Sequence, residues 1–136
     1  MHLEETLSTF TYLIKEINKL HLAYITLARF SAAVDPEKRG TEHDVLASYN
    51  HLITAPTRRI PNFGFTPEEA TEMLEEGKTD AVSFGTLWLT HQDLAKRIEY
   101  GKPLDVLPRF ESFYGKGGSE EEEAVGYTDY PAWKDY

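Results

Sequence analysis

Leu3, Leu7, Phe10, Leu13, Ile14, Ile17 and Leu20 recur at helical spacing, and Glu4, Lys15, Glu16 and Lys19 fall largely off that stripe. The pattern predicts an amphipathic helix over about residues 3–20. It then changes to a nearly continuous apolar run, Leu22-Ala23-Tyr24-Ile25-Thr26-Leu27-Ala28, the signature of a parallel strand covered on both faces, with Arg29 at its C-terminal end. Residues 31–42, containing Asp35-Pro36-Glu37-Lys38-Arg39-Gly40, have turn and charge character and read as a surface loop, followed by a short helix over about 43–53.

Thr57 to Phe63 is a second strand, in which Pro61 weakens the last pairing because proline donates no ladder hydrogen bond. Thr66-Pro67-Glu68-Glu69 is a strong helix start, with threonine as N-cap, proline at the first helical position and a glutamate three residues after the cap; Gly77 closes that helix. Asp80 to Phe84 reads as a third strand, and Thr90 is expected to cap a helix carrying Leu94, Ala95 and Ile98 that Gly101 stops.

The order αβαβαβα over residues 1–102 specifies an α/β fold, a parallel sheet with right-handed crossovers and only about three strands. Residues 103–136 form an irregular tail, rich in Gly, Tyr and Phe, that packs on the sheet or is partly disordered. Its run Glu120-Glu121-Glu122-Glu123 reads as a solvated or disordered insert rather than a metal site, because like charges in a loop lack fixed geometry.

Composition narrows the chemistry. A formal charge of −9 argues against nucleic acid and anionic membrane as partners. With no cysteine there is no disulfide, no thiolate nucleophile and no Cys-type metal centre, so redox chemistry would need a bound cofactor. Charges interrupt the apolar positions of the first twenty residues, which excludes a signal-peptide core or membrane span there, and a soluble cytoplasmic protein is expected.

Asn62-Phe63-Gly64 and Phe84-Gly85-Thr86 both stand where a strand ends and a helix is about to begin. Backbone N–H groups at such ends, helped by the field of a helix N-terminus, suit an anion, and glycine permits positive φ and close approach by a phosphate oxygen. On spacing alone the two glycines serve equally well as a phosphate cradle or as tight strand-to-helix turns.

These two motifs, together with Phe113-Tyr114-Gly115 and Gly126-Tyr127-Thr128-Asp129-Tyr130-Pro131 in the same order downstream, resemble the C-terminal part of the old yellow enzyme family. The last two βα units match over about 45 residues, residues Leu22 to Leu27 resemble the strand before them, and the tail follows. The resemblance implies the C-terminal portion of a (β/α)8 TIM barrel, although a whole barrel typically needs about 250 residues and this chain has 136. It implies an FMN-dependent NAD(P)H oxidoreductase of the ene-reductase type, with flavin and a small-molecule enone as partners. FMN would be held by Asn62, Phe63, Gly64, Gly85 and Thr86 at its phosphate, and by Phe113 and Tyr114 near the flavin ring. Tyr127 and Tyr130 read as aromatics that pin the tail.

Two departures qualify that expectation. The family has arginine where this chain has Thr86, and Lys116 is the nearest substitute, since Arg58 and Arg59 lie at the start of their strand. The family's His-x-x-His or His-x-x-Asn pair is also missing: three residues after His2, His21, His43, His51 and His91 come Glu5, Tyr24, Leu46, Thr54 and Leu94. No catalytic residue and no metal ligand is assigned, and the chain alone is expected to turn over weakly or not at all. The alternatives are a non-catalytic interaction fragment or pseudoenzyme that docks on a complementing barrel half or forms an oligomer, and a generic phosphate-binding α/β module.

Overall fold

A computed structural model describes residues 2–113 and 118–134. The chain forms two compact units, residues 1–83 and 84–136.

In the first unit, helix α1 (Leu3–Asn18) and helix α2 (Val45–Tyr49), continued by a 3-10 turn (Asn50–Leu52), cover strand β1 (Tyr24–Ala28). Ile14, Leu27, Tyr49 and Ile53 make the buried cluster, with Leu7, Ile25, Val45, Leu46 and Leu52 packed around it. Each such side chain contributes about 1.5–3 kcal/mol when fully buried. Only one face of β1 is covered, contrary to the expectation from its unbroken apolar run: Leu27 is buried while Tyr24, Thr26 and Ala28 stay exposed.

β1 pairs in parallel with strand β2 (Arg58–Asn62), from Tyr24 opposite Arg58 to Ala28 opposite Asn62. Among the described residues the third strand shrinks to a single parallel bridge, Asn62 with Ser83. Two donors on that side of β2 are lost to the ladder: the Arg59 N–H goes to the Asp80 carboxylate at 2.9 Å, and Pro61 has no N–H. The Arg59 and Pro61 carbonyls accept from Asp80 N at 3.0 Å and Ser83 N at 3.0 Å, so these alternate residues of β2 face the segment that follows Thr79. In a parallel ladder the N–H of a residue points to the same side as its C=O, and Pro61 has none to give. The Ala81 carbonyl accepts from the Thr79 hydroxyl instead, at 2.8 Å.

Helix α3 (Pro67–Glu75) starts as expected, with Thr66 and Glu69 forming a full capping box, and Gly77 follows its end at φ 66°. In the second unit the helical stretch divides into α4 (Thr86–Thr90) and α5 (Leu94–Glu99). Thr90 does not cap α5: its hydroxyl donates back to the Thr86 carbonyl at 3.0 Å, and Asp93 takes the N-cap position. The acidic run is solvated, in a short helix α6 (Glu120–Ala124) that Ser119 and Glu122 cap as a box.

Tyr130, 4 % exposed, anchors the tail within this unit. Its carbonyl accepts from the Gln92 side chain at 2.7 Å and its hydroxyl from the Arg109 backbone N–H at 2.9 Å. Beside it, the buried Arg97 donates to Asp93 at 2.8 Å and to the carbonyls of Pro103 and Pro131 at 3.0 and 3.1 Å. The remaining carboxylate oxygen of Asp93 accepts from Trp133 N at 2.8 Å.

Candidate functional site

The turn from β2 into α3 has unusual backbone geometry for its sequence. Phe63 and Gly64 have φ of 81° and 70° in succession. Glycine adopts that region freely, whereas a phenylalanine there costs on the order of 1–2 kcal/mol and needs support from its surroundings. The support is visible. Asn62 Oδ1 accepts from the Phe63 N–H, and the Arg29 guanidinium donates to the Phe63 carbonyl at 3.0 Å and to the Gly64 carbonyl. Arg29 also reaches both carboxylate oxygens of Glu69 at 3.4 and 3.3 Å and lies over the Phe65 ring, 3.8 Å from its centroid.

Glu69 thus has two tasks, pairing with Arg29 and capping α3 through the Thr66 N–H at 3.1 Å. Arg29 first, and the Thr66 amide second, hold its carboxyl below the usual carboxylate range. Because this carboxylate occupies the start of α3, an anion gains less from the helix N-terminus than the sequence suggested. In the turn itself, among the described residues, no protein acceptor takes the N–H groups of Gly64 and Phe65.

Gly85 differs. It sits at φ −99°, a conformation open to any residue, and a Cβ placed there would meet nothing within 4 Å. The reading that Gly85 exists to make a tight turn therefore loses its physical basis, whereas Gly64 is demanded by its backbone. Thr86, exposed, begins α4, which at five residues is too short to offer the field of a long helix. Phe113 ends a 3-10 turn (Phe110–Ser112), its ring 5.3 Å from that of Phe110 and 6.0 Å from that of Tyr127. Tyr114 and Lys116 lie outside the described residues.

Arg58 and Arg59 are engaged at the opposite end of β2. Both donate to Asp80, at 3.0 and 3.1 Å, and Arg59 also reaches the Gly77 carbonyl. The Arg59 backbone N–H, reinforced by the two guanidiniums against the effect of burial, lowers the Asp80 carboxyl from the ordinary 3.8 to about 2. The role of Arg29 escaped sequence reasoning, although an arginine directly after an apolar strand was its signal. Among the described residues no cluster of three or more histidines or acids could hold a metal, and no helix is long and apolar enough to cross a membrane.

No protein-family profile matches the chain. An Oryza sativa subsp. japonica protein named for 12-oxophytodienoate reductase is 32 % identical over 128 residues, 89 % of this chain and 30 % of that protein. The 12-oxophytodienoate reductase 2 of Arabidopsis thaliana is 29 % identical over 127 residues, with the same shares covered. Among solved structures, the old yellow enzyme from Trypanosoma cruzi superposes with a TM-score of 0.77 at 31 % identity, over 96 % of this chain and 31 % of that one. The chain therefore spans about three tenths of the length of the proteins it matches. Its helices and parallel strands are a portion of their TIM barrel, and the chain belongs to the old yellow enzyme family, corresponding to a C-terminal part of it.

Proposed function

We propose that this chain is the phosphate-holding part of a cytoplasmic FMN-dependent NAD(P)H oxidoreductase that reduces activated C=C bonds of enones, and that it does not turn over by itself. The observation that carries this reading is the left-handed pair Phe63-Gly64 at the carboxyl end of β2, the end at which barrel enzymes bind their ligands. In the first unit the amides of Gly64 and Phe65 suit a phosphate oxygen; in the second, Gly85, with open space around it, and the Thr86 hydroxyl take the phosphate-side role that the resemblance implies. Asn62 shapes the turn by accepting the Phe63 amide, and Phe113, with Tyr114 beyond it in sequence, supplies aromatic surface for the flavin ring.

Bound FMN would supply hydride transfer from NAD(P)H to the substrate. The part of this chain is to bind and orient the cofactor, because no histidine pair with the spacing that holds an enone oxygen occurs in it. A threonine hydroxyl makes one neutral bond where arginine makes two charge-assisted ones. Titrating FMN into the purified chain is expected to show weak, saturable binding. Thr86→Arg should tighten it about 5–150-fold, equivalent to about 1–3 kcal/mol. Absence of binding by both proteins would overturn the assignment, as would a thermal shift with another phosphorylated ligand larger than that with FMN. A yellow protein that reduces cyclohexenone with NADPH would overturn the claim that the chain is insufficient.

A second reading, docking on a complementing barrel half, is favoured by β1, whose exposed Tyr24, Thr26 and Ala28 lie along a strand that among the described residues pairs only with β2. Its test is co-purification with the remaining part of a family barrel; failure to co-purify removes it.

A further inference from the structure

We propose that Arg29 is the positioning residue of the anion cradle: from the end of β1 it holds the carbonyl side of the two peptides that follow Phe63 and Gly64, and thereby aims their N–H groups at the ligand. The inference rests on the phosphate reading of this turn.

Arg29 engages β2 and its extension at three successive residues. Its backbone N–H donates to the Asn62 carbonyl at 3.1 Å, completing the β1–β2 ladder, and its guanidinium continues along the chain to the carbonyls of Phe63 and Gly64. A trans peptide is planar, with N–H and C=O pointing in opposite directions. With the Phe63 carbonyl turned to Arg29, the Gly64 N–H points away from it, and with the Gly64 carbonyl turned the same way, so does the Phe65 N–H. These are the two amides without a protein acceptor among the described residues. One side chain thus puts two donors on one side of the turn.

The guanidinium is itself fixed. Glu69 holds it from the first turn of α3, and the Phe65 ring backs its plane. Its planar fork allows both carbonyls and the carboxylate to be engaged together, which an ammonium on a flexible stem cannot reproduce. Its charge faces the carbonyl side of the turn, so its effect on an anion comes through the peptides it orients. The same contacts supply the support that Phe63 needs at φ 81°.

The test uses the full chain with Arg29→Lys, which keeps stem and charge, and Arg29→Gln. The first readout is the intraresidue amide-to-Hα NOE of Phe63, strong only when φ is positive; the second is FMN affinity. The expected result is a strong NOE in the parent, weakened in both variants, with FMN bound roughly tenfold less tightly, a loss the size of a hydrogen bond or two. Glu69→Gln, which leaves both carbonyl bonds in place, should keep the NOE. An unchanged NOE in Arg29→Lys, or wild-type FMN affinity in it, overturns the proposal even if the parent binds FMN normally. If the parent binds no FMN but the NOE weakens in the variants, the phosphate reading fails while the hold of Arg29 on the turn stands.

Discussion

Residues 1–83 and 84–136 are held together by different physics. The first unit has a strand ladder and an apolar cluster around Ile14, Leu27, Tyr49 and Ile53. The second has no strand among its described residues, and its most buried side chains include Thr90, His91 and Arg97, tied to backbone carbonyls and to Asp93. A unit that rests on directional polar contacts tolerates less. Loss of one buried partner leaves a desolvated group behind, whereas an apolar cluster loses contacts in proportion to area.

The largest effect should therefore come from Arg97→Met. It removes the ion partner of Asp93 and two bonds to the carbonyls of Pro103 and Pro131, and breaking such a buried pair costs about 3–5 kcal/mol. Trp88 and Trp133, the only tryptophans of the sequence, both belong to residues 84–136, so their fluorescence reports this unit. In urea the tryptophan transition should move to lower concentration, ahead of the far-UV helical signal that α1 dominates. Coincident transitions would break the comparison and show one cooperative unit.

A smaller effect is expected in the first unit, at Asp80. Its folded carboxyl titrates at about 2 and its unfolded one near 3.8, so its contribution is fully present above about pH 4 and is lost as pH falls through 2. Asp80→Asn should cost about 2 kcal/mol at pH 7, close to the shift converted at 1.36 kcal/mol per unit, and almost nothing at pH 2. Denaturation at the two pH values checks this. An equal cost at both would assign the stability to packing rather than to the charge held by Arg58 and Arg59.

The same contrast explains what could be read from the sequence. The α1 stripe, the β1 run, the Pro61 defect and the Thr66 capping box are periodic or local, so their residue spacing carries them. The tie between Arg97 and the Pro131 carbonyl spans 34 residues and ends on backbone, which leaves no trace in the identity of its acceptor. Thr90 illustrates the failure: a threonine before an apolar run reads as a cap, but its hydroxyl turns back to Thr86 because Asp93 stands nearer the start of α5. At the candidate site, Gly64 was legible as a turn glycine. The left-handed Phe63 and the reach of Arg29 across 34 residues were not, because both depend on the register of β1 against β2.

The two strand-end glycines sharpen the comparison at the smallest scale. Gly64→Ala forces a side chain into φ 70°, with Arg29 Nη2 already 3.7 Å from the new Cβ, and should destabilise the first unit by about 1 kcal/mol. Gly85→Ala adds a methyl into open space at φ −99°, where alanine is at ease and glycine carries the larger entropy loss on folding. The fold should be unchanged or stabilised by about 0.5 kcal/mol. FMN titration then separates structure from site: if Gly85 is there for the approach of a phosphate, its alanine variant binds FMN more weakly while melting no lower than the parent. Full FMN affinity in Gly85→Ala would assign the glycine no part in the ligand and leave the first turn as the sole cradle.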